Sequence, residues 1–190
     1  MKFVQKEFSH TFEEKKSKFV AHLMPYEMFY EVMKRLKNEH PKARHHVYAY
    51  RYLNEFGQVV ENSSDDGEPR GTSGKPSLAV LAGAEIINSA VIIVRYFGGV
   101  KLGTGGLVRA YGDSVNEVIN ISEFKEYKKL ISKTLVCEYT ELSQVEYLLN
   151  QENIIIKSKD FTQNVNLEIN LSQEEWDEFK QKLSRNITIK

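Results

Sequence analysis

Residues 95–111, RYFGGVKLGTGGLVRAY, decide how this chain is built. The segment leaves an apolar run, Ala90 to Phe97, passes through five glycines, and enters a stripe of Leu107, Val108, Tyr111, Val115, Val118 and Ile119. A run that is apolar on both faces predicts a central strand in a covered sheet. The stripe repeats at helical spacing. Between them, Gly98, Gly99, Gly103, Gly105 and Gly106 carry no Cβ and reach positive φ without strain. Such a loop opening a helix directs several free N–H groups at one place, where the helix dipole adds partial positive charge. Arg95, Lys101 and Arg109 bracket it, Thr104 offers a hydroxyl, and no acid lies between Glu85 and Asp113. The expected ligand is an anion, either a phosphate or a nucleic-acid backbone. The spacing is not a Walker A loop, because no Gly-Lys-Ser/Thr follows. It lacks the acid at a following strand end, about 20 residues on, that a dinucleotide fingerprint needs. A plain strand-to-helix turn is the competing reading, although five glycines exceed what one turn requires.

Upstream, residues 3–24 alternate loosely around a polar turn and predict two strands. Pro25 is placed to open a helix whose apolar face is Tyr26, Phe29, Tyr30, Met33 and Leu36, with His40-Pro41 ending it. HVYAYRYL then alternates with period two, and Gln58 to Glu61 is its expected partner strand. Adjacent His45 and His46 point to opposite sides of that strand, which argues against a shared metal. Tyr48 and Tyr50 form a row with two readings, a stacking platform for unpaired bases or a face covered by a helix. His45 is a candidate general base. Residues 62–75, NSSDDGEPRGTSGK, are turn-formers, and a mostly buried helix is expected from Pro76, capped by Ser73 or Gly74. Within this loop Asp65, Asp66 and Glu68, with Gly67 at the turn, are carboxylates of the kind that hold Mg²⁺ or act as acid and base; Asp-Gly is equally an ordinary turn.

Downstream of Lys128 the pattern becomes strand (129–139), helix (142–151), strand (154–160), strand (165–171), helix (172–183) and strand (187–189). This β-α-β-β-α-β order is that of a ferredoxin-like sandwich. Ser172 and Glu175 form a capping-box pair that marks a helix start. The expected architecture is α+β in two domains, 1–127 and 128–190.

Composition narrows the function without naming it. The chain has 190 residues, with 26 Lys plus Arg against 26 Asp plus Glu. Each half lies within about one charge of neutrality, so a nucleic-acid role must rest on a local patch. The single Cys137 rules out an intrachain disulfide framework. No apolar run is long enough to span a bilayer, no signal core opens the chain, and a cytoplasmic location without membrane contact is the expectation.

Three segments, ARHHVYAYR (43–51), SSDDGEPRGTSGKP (63–76) and IIVRYFGGVKLGTGGLVRAYG (92–112), together resemble the YigZ/IMPACT family, and the resemblance extends over almost the whole chain. It implies an N-terminal α+β domain like the second domain of a small-subunit ribosomal protein. It also implies a C-terminal ferredoxin-like domain similar to the fifth domain of elongation factor G, a pairing that works against ribosomal RNA. Eukaryotic relatives are linked to translational control but carry a different accessory domain, so their partner does not transfer. The resulting expectation is a translation-associated protein that binds RNA or a ribosomal surface through the glycine-rich loop and needs no cofactor. The alternative is an enzyme, Mg²⁺-dependent through the acidic loop, acting on a phosphorylated metabolite or nucleotide. A protein-binding module is the third reading.

Overall fold

Ser89–Tyr96 (β6), buried along almost its whole length, lies at the centre of a five-stranded antiparallel sheet. The structure is a computed structural model that describes residues 1–184 and 186–189, and the chain divides into two units, Met1–Tyr127 and Lys128–Lys190. In the first unit, Lys2–Phe3 (β1) pairs with Lys125–Glu126 (β7). The large sheet contains Phe8–Glu14 (β2), Ser17–Pro25 (β3), His45–Leu53 (β4), Val59–Ser64 (β5) and β6, in the order β2-β3-β6-β4-β5. Its helices are Phe29–Glu39 (α1), Gly74–Gly83 (α2) and Gly103–Asn120 (α3).

The alternation of side chains in β6 divides the core. Ala90, Ile92 and Val94 pack beneath α1 with Phe29, Val32 and Leu36. Val91 and Ile93 pack on the opposite face with Leu81 of α2 and Leu107, Ala110, Tyr111 and Val115 of α3. Helices therefore cover both faces, as the doubly apolar strand predicts. A Cβ at Gly112 would meet Val80 Cγ2 at 3.8 Å, an ordinary contact, so α2–α3 packing does not itself demand glycine there.

Several local expectations need correction. Pro25 ends β3 rather than opening the helix; a 3₁₀ turn at Tyr26–Met28 intervenes before α1. Tyr30 is 70% exposed, and Val32 takes its place on the buried face. The α2 helix starts at Gly74, ahead of Pro76, and buries only Gly74, Ser77 and Leu81. The tyrosine row is not an open platform. Tyr50 has Tyr26, Phe29 and Tyr48 rings at 5.0, 5.3 and 6.0 Å, so the protein's own aromatics occupy its surroundings. The packing prevails because Tyr26 and α1 lie directly over this part of β4.

This α1-covered face also holds His22 and His46. Burial lowers both from the ordinary value of 6.5. At His22 the hydrogen-bonded Glu7 carboxylate opposes burial, while Arg35 and His40 reinforce it. The unfolded chain takes up these protons near pH 6.5, before the folded protein does. Stability from the neutral histidines is thus complete above that pH and is lost as pH falls through it. We expect the urea midpoint of the first unit to drop between pH 7.5 and 5.5, and the drop to shrink when His22→Gln and His46→Gln are combined. A midpoint that is flat over this range in the unaltered protein would contradict this account.

In the second unit, Leu130–Cys137 (β8), Leu142–Gln151 (α4), Ile156–Phe161 (β9), Val165–Ser172 (β10), Gln173–Phe179 (α5) and Thr188–Ile189 (β11) follow in turn. The strand order β11-β8-β10-β9 is antiparallel throughout and is the ferredoxin-like arrangement. The capping box is present as expected: Ser172 Oγ accepts from the Glu175 amide, and Glu175 accepts from the Ser172 amide at 2.8 Å. Cys137 is buried, and burial raises its thiol pKa, so it belongs to the core.

Candidate functional site

The α3 helix begins inside the glycine-rich stretch, so Gly103, Thr104, Gly105 and Gly106 are its first turn rather than part of a loop. Its N-cap is Leu102, which has no side-chain acceptor to offer, and no side-chain cap is made. The first-turn amides are therefore open. Among the described residues, none of the amides from Gly99 to Gly105 finds a protein acceptor. Gly99 at φ 85° and Gly103 at φ 73° turn the chain here, in a region that L side chains resist. Gly98 serves a different purpose. Its amide is taken by Ser17 Oγ at 3.3 Å, and a Cβ on it would overlap the backbone of Lys16 and Ser17.

Facing these amides is the loop that connects β5 to α2. Asp65 organises that loop from within. Its Oδ1 accepts from the amides of Ser73 and Gly74 and from Ser73 Oγ, at 3.2, 2.8 and 2.7 Å, and its Oδ2 accepts from the Gly71 amide at 2.7 Å. Burial by itself would raise this carboxyl, but the four donors outweigh burial and hold it below its ordinary value. Ser73 is the N-cap residue of α2, one of the two positions expected, but it makes no side-chain cap; Asp65 accepts from the Ser73 and Gly74 amides instead. Asp66, in the left-handed region at φ 42°, clamps the loop to β4. Its carboxylate accepts from the His46 amide at 2.6 Å, and its carbonyl lies 2.8 Å from His45 Nδ1. A carbonyl can only accept, so Nδ1 carries the proton and Nε2 is left on the Glu68 side.

Glu68 then reaches between β6 and α3, with its side chain only 3% exposed. Its Oε1 accepts from Arg95 Nη1 and, at 2.8 Å, from the Tyr111 hydroxyl; His45 Nε2 stands 3.8 Å away. Burial, and after it the Glu68 charge, push the Tyr111 hydroxyl well above its usual pKa, so it remains a donor. The Arg95 side chain is 7% exposed, and its Nε has no acceptor. The guanidinium lies 5.4 Å from the Phe19 ring and 5.9 Å from the Phe97 ring.

These groups enclose one cleft of about 390 Å³, lined by Arg44, His45, Glu68, Pro69, Arg95, Phe97, Lys101 and Leu102 and by Gly103 and Thr104 at the start of α3, with Leu107 behind. The acidic and glycine-rich loops therefore flank a common site, although their sequence separation gives no hint of it. Lys101, Thr104 and His45 are in the cleft, and so is Arg95. Arg109 is not: it lines a separate depression with Lys15, Gly106 and Asp113. His46, Tyr48 and Tyr50 line another on the far face of the sheet. The three acids do not converge on a cation. Asp65 is committed to backbone amides, Asp66 to β4 and Glu68 to Arg95 and Tyr111, and no metal-binding cluster occurs among the described residues. Sequence reasoning missed Tyr111 and Phe97. Tyr111 sits within the apolar stripe of α3, and its polar end has no signature there; Phe97 simply closes an apolar run.

The comparisons with known proteins fit this geometry. Residues 15–119 match the Impact N-terminal domain, and residues 135–186 match a domain of unknown function, DUF1949. The chain belongs to the IMPACT family. It is 39% identical to the IMPACT family member YigZ of Escherichia coli, over 90% of this chain and 86% of that protein. It is 37% identical to an IMPACT family member of Haemophilus influenzae, over 91% of this chain and 86% of the relative. A crystal structure of an hypothetical protein superposes with a TM-score of 0.67 at 35% identity, covering 99% of this chain and 95% of the other. The cleft of this IMPACT-family chain lies wholly inside the N-terminal match, because His45, Glu68, Arg95, Lys101 and Tyr111 all fall between residues 15 and 119.

Proposed function

We propose that this chain is a cytoplasmic, translation-associated protein that binds RNA or a ribosomal surface by receiving a phosphate in the cleft between the Asp65–Gly74 loop and α3. One observation carries the reading: the uncapped first turn of an 18-residue helix presents open amides beside Lys101 in a cleft backed by the buried Arg95. A chain of zero formal charge has no general attraction for nucleic acid, so affinity must come from such a local site. No helix among the described residues is long and apolar enough to cross a membrane.

The test is RNA binding as a function of salt, with single-stranded and structured RNA. We expect log K to fall linearly with log salt, and the slope to shrink by about one unit when Lys101→Ala removes one contact. A flat response would remove the proposal. A second reading, an enzyme acting on a phosphorylated metabolite or nucleotide, is favoured by His45, whose Nε2 faces Glu68 across the same cleft at 3.8 Å. Turnover of such a substrate that disappears in His45→Gln would establish it.

A further inference from the structure

A cleft built only to hold phosphate has no use for a carboxylate, yet Glu68 is one of its walls. Of the two Glu68 oxygens, Oε1 is occupied by Arg95 and Tyr111. Oε2 takes no hydrogen bond among the described residues and is not one of the sealed, orphaned atoms. His45 lines the same cleft. With Nδ1 donating to the Asp66 carbonyl, the Nδ1–H tautomer has its lone pair at Nε2, and 3.8 Å from Oε1 is too far for a hydrogen bond between the two. The cleft thus has a second polar end made of two neighbouring acceptors with no donor between them. A phosphate is repelled there. Two adjacent hydroxyl groups, each donating one hydrogen bond, satisfy both acceptors, and that is the chemistry by which a carboxylate reads a ribose.

The rest of the lining is apolar. Phe97 is 48% exposed at the rim, and Pro69, Leu102 and Leu107 line the cleft with it. An exposed phenylalanine ring with the Arg95 guanidinium 5.9 Å away is a surface on which a flat base stacks. A volume of about 390 Å³ is near the lower end for small-molecule sites, so it accommodates one nucleotide unit rather than a length of polymer. The site is also more than a bare helix start, because the Arg95 side chain that lines it is over nine-tenths buried with Nε unpartnered.

We propose that the cleft recognises a single ribonucleotide bearing a terminal phosphate: the phosphate on the open amides of α3 with Lys101, the ribose hydroxyls on Glu68 Oε2 and His45 Nε2, and the base against Phe97. This rests on the phosphate-binding reading above and makes it specific for ribose. The same chemistry is offered by a free mononucleotide and by the phosphorylated end of an RNA.

Calorimetry on the full chain separates the cases, using 5′-AMP, 5′-dAMP, adenosine, inorganic phosphate, and one oligoribonucleotide with a 5′-phosphate or a 5′-hydroxyl. We expect 5′-AMP to bind at least tenfold more tightly than 5′-dAMP, adenosine or inorganic phosphate. Glu68→Gln keeps an acceptor but halves the carboxylate, and Phe97→Ala removes the stacking ring. Each should weaken 5′-AMP about tenfold, and Phe97→Ala should leave inorganic phosphate within twofold, a pattern that unfolding would not give. If the phosphorylated oligomer binds tenfold better than both its 5′-hydroxyl form and 5′-AMP, the source is an RNA end; if 5′-AMP binds as well or better, it is a free nucleotide. Equal binding of 5′-AMP and 5′-dAMP overturns the ribose assignment. If salt-dependent RNA binding persists in that case, the phosphate reading survives alone; if inorganic phosphate and RNA also fail to bind, both readings fall.

Discussion

Arg95→Met is expected to destabilise the Met1–Tyr127 unit by about 3–5 kcal/mol, because it leaves the Glu68 charge buried without its cation. Glu68 and Arg95 are 3% and 7% exposed at their side chains, so water compensates for little of a lost partner. The Tyr111 hydroxyl remains as a donor to Oε1, but a neutral donor compensates only part of an isolated carboxylate. The double variant Arg95→Met, Glu68→Met removes both charges and keeps apolar volume beside Leu107 and Phe97. It should recover most of the loss, as replaced buried ion pairs commonly do. Urea denaturation of the single and double variants checks this. A single variant that loses under 1 kcal/mol would show that Glu68 is not held as a buried anion by Arg95. If the double variant is stable yet binds neither phosphate nor RNA, the pair is retained for recognition rather than for folding.

Gly98→Ala is the second large effect, and it isolates what each glycine of the 98–106 stretch does. A Cβ at Gly98 would be driven into the carbonyl of Lys16 and the amide of Ser17, both backbone atoms that cannot swing aside. Either the β2–β3 turn or the start of the glycine loop must then move, at a cost of about 3 kcal/mol. Gly99→Ala and Gly103→Ala meet nothing within 4 Å, yet both sit at positive φ, so about 1 kcal/mol each is expected from backbone strain alone. Gly105→Ala meets neither obstacle in the first turn of α3 and should be neutral or slightly stabilising. Thermal unfolding of the four variants gives the order directly. If Gly98→Ala proved as mild as Gly105→Ala, the close approach of Gly98 to the β2–β3 turn would be refuted.

The glycine-rich stretch illustrates how unevenly the site could be read from residues alone. Free amides at a helix start are legible because they follow from local chemistry, and Lys101 and Thr104 line the cleft. The five glycines do not play one role. Gly98 answers to a turn about eighty residues earlier in the chain, and no local pattern carries that information. The acidic loop shows the same division. Its composition announces a turn, but three similar acids take three unrelated roles, because Asp65, Asp66 and Glu68 face α2, β4 and the buried Arg95 respectively. Arg109 appeared equivalent to Arg95 and lies in another depression, since it is on the solvent side of α3.

What the sequence determined by itself is everything governed by periodicity and local chemistry. The doubly apolar run requires a strand covered on both sides, the period-two segment 46–53 requires a neighbouring strand, and Ser172 with Glu175 requires a helix to begin there. Side-chain pitch and capping act over a few residues, so they are written in order along the chain. The cleft is of another kind. Its polar centre joins His45, Glu68, Arg95 and Tyr111, and the register that sets His45 opposite Arg95 depends on how β4 pairs with β6. Only the closing of that sheet, with α3 laid across it, places an aromatic hydroxyl, a guanidinium and an imidazole around one buried carboxylate. Contacts between distant segments are set by packing of the whole domain, and that is why the site became visible only in three dimensions.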